Sequence, residues 1–592
     1  MICWASNRSR NLIFCTGIVL ALSVSGGSAA AQVPVPLRPA VTAPPIAAAP
    51  PDENADPASS PDEGISTGAL ADMDFGAAGL LTLENGGFGR DMWQGADRAF
   101  VVRLLSKLPV TTASPTLQRL AQRLLLSAAE PPAGTVTGPS FIGLRLARLI
   151  EAGQFDLAAQ LAVLAGGPSR DDTLLQARAE ITLASNEVKT ACEMAAANVR
   201  SSSAAFWLKL SGFCHILNGN EAAAQLSASL AAEIDPGDTG YQSLLTVLIS
   251  KSGKLPKSLP PPDILQLAMM RFASLPLPAK IPDDATAAEL KLMGRMPGAS
   301  AEQRLAAAER AEAAGAIGPE EVVQLYSELP FPVEDRANAR DLAPKLSAPK
   351  ANALMFQSVR GQDSPASLSL ALSAALSLAR ASNSFATVAR VNLTPIRDLV
   401  PAPEIIEIAA DAGRALLAAG DPVAARRWYD MARALSVSGN NPQAAQAAND
   451  LWPLLRLALP PEMMPDDPAE TTAWLGQLRA EDKAKKGQLV LSALSALGHD
   501  TPESEWVSMT GDPINSEPAA MPAAAILHLL MEAGQSGRAG QTVLLSLICL
   551  GPNRQGLADP FLLGMAVRSL NSAGLRAEAR ALALDAALLA GI

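Results

Sequence analysis

One interval constrains this chain more than its composition does. Turn-forming residues Gly153, Asn186 and Gly219 stand 33 and again 33 residues apart. Each ends an apolar-periodic segment, and each has an alanine five residues later: Ala158, Ala191 and Ala224. The same offset returns at Gly420/Ala425, Gly534/Ala539 and Gly574/Ala579. A fixed period of this size is the mark of a helical repeat array, whose units bury their apolar faces only against neighbours. The chemistry fits: Gly or Asn supplies the left-handed backbone that ends a first helix. A small alanine in the second helix then lets the two axes approach closely. In the first copy, Ile142, Leu146, Leu149 and Ile150 form one amphipathic stripe, and Leu157, Leu161 and Leu164 form the next.

The third copy carries Gly212, Gly219-Asn220, Ala224, Ala231 and Asp235-Pro236, and Gly413, Gly420-Asp421, Ala425 and Ala432 repeat that order. At these positions the chain resembles the tetratricopeptide repeats, although its period is one short of that family's and the family's aromatic positions are mostly Leu or Ala. The resemblance implies an all-α fold of helix-turn-helix repeats stacked as an α-solenoid. It also implies protein binding in a concave groove lined by the first helix of each pair. Carried over by position, the groove residues are Thr173, Gln176 and Glu180, then Phe206, Lys209 and Phe213, then Glu407, Ala410 and Arg414. The alternative for Phe206 and Phe213 is burial between repeats. The alternative for the whole pattern is a non-repetitive Ala/Leu-rich helical domain.

Residues 1–31 read as a secretory signal. Arg8 and Arg10 are basic, Leu12–Ser25 is apolar, and Ala29-Ala30-Ala31 precedes Gln32 as a small-residue cleavage site. That core is shorter than the roughly 20 residues a membrane span needs, so no stable membrane insertion is expected after cleavage. An uncleaved anchor is the alternative. The Pro/Ala-rich stretch 32–68 cannot bury a core and is expected to be a disordered linker. Helical writing then runs through 69–253, breaks at a proline-rich segment 254–282, continues irregularly over 283–403 and regains its repeat over 404–592. Ser114-Pro115, Ser364-Pro365, Asp421-Pro422, Asn441-Pro442, Asp467-Pro468 and Thr501-Pro502 each set a capping residue before a first-turn proline. Asp467 with Glu470 and Ser300 with Gln303 have capping-box spacing.

The formal charge of -11 becomes about -13 when Arg8 and Arg10 leave with the signal. The one basic cluster, Lys483, Lys485 and Lys486, is offset by Glu481 and Asp482. Nucleic acid and anionic membrane are therefore poor partners. Cys192 and Cys214 fall on neighbouring helices of the second and third copies. Two buried thiols are the favoured reading, and a disulfide is the alternative that an exported compartment permits. Catalytic machinery is hard to find. His215, His499 and His528 lie far apart, with no second ligand at metal spacing, and His215 reads as a core residue. Gly86-Gly87-Phe88-Gly89 reads as a loop before a helix at Met92, and Gly534-Gln535-Ser536-Gly537 as a helix-helix turn. Glu320-Glu321 and Asp283-Asp284 read as helix starts. No cofactor is implied. The leading reading is a non-catalytic periplasmic or secreted scaffold, adaptor or chaperone that binds another envelope protein. The alternatives are an envelope enzyme acting on peptidoglycan with a helical superstructure, and a purely structural envelope protein.

Overall fold

The computed structural model describes residues 75–592 apart from 136–137, 167–170, 253–254, 256–258, 440, 466, 511–520 and 553. The expected signal and linker, 1–31 and 32–68, lie outside the described residues. Ala71–Ile592 form one compact unit, and the proline-rich segment does not divide it. The described residues are helical nearly throughout. They hold no strand, only isolated parallel bridges from Leu81 to Ser127 and from Asp97 to Ala133. None of these helices is long and apolar enough to cross a membrane.

Helix starts follow the local chemistry. Helices Pro115–Leu126, Pro365–Ala381, Pro422–Gly439, Pro442–Ala458 and Pro468–Gln477 begin at the capped prolines. Ser300 and Gln303 form the reciprocal box. Several expectations fail. Pro502 itself, not Thr501, occupies the cap of Glu503–Ser508. Glu470 does not reach back to Asp467, because Arg433 at 2.8 Å and the Trp452 indole at 3.0 Å take its carboxylate. Past Gly86–Gly89 the chain makes turns through Met92, and helix begins only at Arg98. Glu320 and Glu321 do occupy the first turn of Pro319–Glu328, whereas Asp283 and Asp284 precede the Thr286 cap of Ala287–Gly294.

Helix ends repeat one motif. Gly153, Asn186, Gly219, Asn383, Gly420, Gly537 and Gly574 all have positive φ, between 57° and 86°. After each, the next amide donates to the carbonyl five residues back at 2.8–2.9 Å, which closes the last turn as a Schellman cap. The residue five beyond the turn is then buried against the preceding helix. It is Ala158, Ala191, Ala224, Ala425 and Ala579 in five cases, and Val388 and Thr542 in the others. Gly534, read from sequence as a turn, lies inside Ala524–Gln535, and Gly537 makes the turn. A Cβ at Gly534 would stand 2.8 Å from the Ser569 backbone, so this glycine serves a close helix crossing instead.

Three helix pairs stack in order: Phe141–Glu151 with Phe155–Leu164, Asp172–Ala184 with Val188–Asn198, and Ala205–Leu217 with Glu221–Ile234. The chain then turns back. Prolines 260–262 and Pro276, Pro278 and Pro282 bracket a short helix, Ile264–Phe272, which packs on Asp172–Ala184. The following Ala287–Gly294 packs on Phe141–Glu151. Arg271 donates to the Leu183 carbonyl at 2.5 Å, and Lys291 Nζ to that of Gly153 at 2.8 Å. These cations occupy helix C-termini, where unpaired carbonyls and the helix dipole favour them. At the far end, helices Ala539–Leu550 and Arg576–Leu589 pack on Pro115–Leu126. The array is a stack of helix pairs whose last helices meet its first.

Candidate binding groove

The returning helix decides the fate of the groove expected from sequence. Phe213 is fully buried, its ring edge-on to Phe272 of Ile264–Phe272 at 5.9 Å. Lys209 is buried between Asp235 at 2.7 Å and Asp238 at 2.6 Å, while the Tyr241 hydroxyl donates to its carbonyl at 2.8 Å. Gln176 donates to Glu180 at 2.8 Å. Burial, with Asp263 of the returning segment adding repulsion, pushes the Glu180 carboxyl up to about 7. Phe206 is partly buried against Trp207, ring centroids 5.1 Å apart. Phe213 and Lys209 are thus packed within the chain, Phe213 against the returning helix and Lys209 between Asp235 and Asp238.

The C-terminal candidates separate. Glu407 is exposed on the short 3-10 turn Pro403–Ile408. Arg414 pairs with Asp450 at 2.8 Å and donates to the Ile592 carbonyl at 3.1 Å. It lines a cavity of about 430 Å³ adjoining one of about 390 Å³, and the two share Pro115, Arg390, Ala418 and Asp585. Here the first and last helices meet. Arg390 pairs with Glu312 and Arg380 with Asp411. Asp585 accepts from Ser114 Oγ at 2.5 Å and the Thr116 amide at 2.8 Å, and burial raises its pKa. Arg380, Arg390 and Arg414 are thus each paired with a carboxylate, and Asp585 is held by neutral donors of the first helices. Cys192 and Cys214 are joined as a disulfide, the alternative rather than the favoured reading, and Cys549 is a buried free thiol.

An open apolar groove lies elsewhere, where the sequence analysis did not place one. Helix Pro560–Ser572 carries two stripes. Leu562, Leu563, Ala566, Val567 and Leu570 face the core, while Phe561, Met565 and Arg568, at i, i+4 and i+7, line the groove. Helix Ala524–Gln535 does the same, with Leu530 and Ala533 inward and Leu527, His528 and Met531 along the groove. Trp506 of Glu503–Ser508 also lines it. The space is about 490 Å³. Phe561 is 56% exposed and Met531 44%, which is unusual for side chains this apolar on facing helix walls. Gly564 allows the close floor: a Cβ there would sit 3.2 Å from Ser492 Oγ. Arg568 is the one permanently charged side chain of the lining. Its guanidinium reaches Ser495 Oγ at 3.5 Å and, among the described residues, has no carboxylate at ion-pair distance. The missed signal was the second stripe at i, i+4, i+7.

Among the described residues, no group of three His, Cys, Asp or Glu side chains is arranged to hold a metal ion. His215 is half-buried rather than in the core. His499 is buried, and burial with Arg456 and Arg580 nearby lowers its pKa to about 4, so its ring is neutral. Compared with family models, curated proteins and solved structures, the chain matches none.

Proposed function

We propose that this chain is an exported, non-catalytic helical-repeat protein that binds another envelope protein, and that it does so through the groove between Ala524–Gln535 and Pro560–Ser572. One observation carries the reading: Phe561, Met531 and Trp506, the residue types that anchor protein interfaces, surround an open apolar groove on a stacked-helix body. The repeat units are read as degenerate tetratricopeptide repeats on the Gly-to-Ala offset and the third-copy motif. In that reading the usual concave surface of the N-terminal copies is given up to the returning helix. Export rests on Arg8, Arg10, Leu12–Ser25 and the Ala29–Ala31 site, and the Cys192–Cys214 disulfide suits an oxidising compartment.

The test uses the full chain and its Phe561→Ser/Met531→Ser variant as baits in the envelope fraction, with quantitative mass spectrometry. The reading predicts specific proteins retained by the first and lost with the second, at equal melting midpoints. Identical protein sets would contradict it, as would a mature N-terminus at Met1 in cytosolic material.

A further inference from the structure

We infer that the groove takes a protein segment presenting a large apolar residue together with a carboxylate, and that Arg568 selects the carboxylate. The inference rests on the proposed protein-binding function and deepens it by naming the partner's chemistry. Three observations carry it. The walls are apolar side chains of Phe561, Met565, Leu527, Met531 and Trp506. Arg568 shares the Phe561–Met565 stripe, three residues beyond Met565, so its charge lies along the line an occupant would follow. It is also exposed and, among the described residues, held by no carboxylate, unlike Arg380, Arg390 and Arg414, which are paired. A guanidinium left with a single 3.5 Å contact to Ser495 Oγ has donors to spare for a planar, bidentate partner.

The exposure of the walls decides between a protein segment and a detached acyl chain. A fatty acid needs enclosure to leave water, but Phe561, Met531, His528 and Arg568 are all open to solvent. A protein segment brings its own backbone and neighbouring side chains to cover such a surface. The acidic character of the chain as a whole, -11 in formal charge, gives Arg568 further discriminating value. An acidic segment is repelled by most of the surface and has a reason to prefer this groove.

The experiment pans a phage-displayed library of random peptides, about 12 residues long so as to span the groove, on the full chain. The best peptide is then synthesised and its affinity measured by fluorescence anisotropy. Enriched peptides are expected to carry Asp or Glu within about four positions of Phe, Trp, Leu or Met. Arg568→Glu should weaken binding at least about tenfold and, on fresh panning, turn the preference to Lys or Arg; Arg568→Lys, which keeps the charge but loses the bidentate fork, should weaken binding less than Arg568→Glu and keep the preference for acidic peptides. Phe561→Ser, at an exposed position, should lose about tenfold or more with its melting midpoint unchanged. Peptides lacking acids that still lose binding with Phe561→Ser would overturn the role of Arg568 and leave the groove reading standing. Acidic peptides indifferent to both variants would place binding elsewhere and overturn the inference. Failure to enrich any peptide would overturn both readings. Laurate binding in an Arg568-dependent way, without peptide enrichment, would make the groove an acyl site and overturn them too.

Discussion

Gly212 carries the tightest residue-level constraint in the third repeat. A Cβ there would collide with the Tyr241 hydroxyl, which donates to the Lys209 carbonyl at 2.8 Å. Gly212→Ala should therefore cost about 1–3 kcal/mol of stability by overpacking, read from denaturant midpoints; an unchanged midpoint would place the glycine away from a tight contact. Glu180 sets a pH dependence of definite sign. Its folded pKa is about 7 against an ordinary 4.5, so the folded chain holds a proton that the unfolded chain releases between those values. The stabilisation from that proton is complete below about pH 4.5 and lost as pH rises through about 7. Glu180→Gln should flatten the fall of the melting midpoint between about pH 5 and pH 8 and stabilise the chain at the alkaline end by about 1–3 kcal/mol. A slope unaltered by the substitution would contradict the burial argument. At this scale the sequence was legible where the reason is local. Turn glycines, cap serines and packing alanines declare themselves by backbone requirement or size. Phe213 did not, because the ring against it, Phe272, comes from a helix far along the chain, and Lys209 did not, because its partners Asp235 and Asp238 lie beyond the helix that follows it.

Elements were legible by periodicity and misread where two stripes share one helix. The Schellman-capped pairs stand where the Gly-to-Ala offset put them, except at Asn383/Val388 and Gly537/Thr542. There, other residues meet the same need for a left-handed turn and a compact packing side chain. The proline-rich segment announced an interruption but not its use, since prolines can end helices without saying where the next helix lands. The second pair is tied to the third by the Cys192–Cys214 bridge across a separation of 22 residues. Replacing both by serine should cost about 3 kcal/mol by restoring chain entropy to the unfolded state. Thermal melts check this: the native chain should melt earlier under reductant, and the double variant should be indifferent to it. Equal melting of the native chain with and without reductant would argue for free thiols.

For the molecule as a whole, the meeting of its first and last helices separates this architecture from an open array. In an open array, damage at one terminal repeat spreads only to its neighbour. Here Asp585 on the final helix holds Ser114 Oγ and the Thr116 amide, and Glu578 pairs with Arg123 at 2.5 Å. Asp585→Ala should speed hydrogen exchange in Pro115–Leu126 as well as in Arg576–Leu589, and a change confined to the final helix would contradict the closure. The same long-range returns explain what sequence could not supply: which helix faces end up covered. The central claim is that the N-terminal concave face is taken by the chain itself and that the partner surface is the groove at Phe561 and Met531. The most direct measurement places a photo-crosslinking amino acid at Met531 in one protein and at Phe206 in another, irradiates intact cells and maps the crosslinks by mass spectrometry. The account predicts crosslinks to a different protein from Met531 and crosslinks within the chain from Phe206. Partner crosslinks from Phe206, with none from Met531, would contradict it.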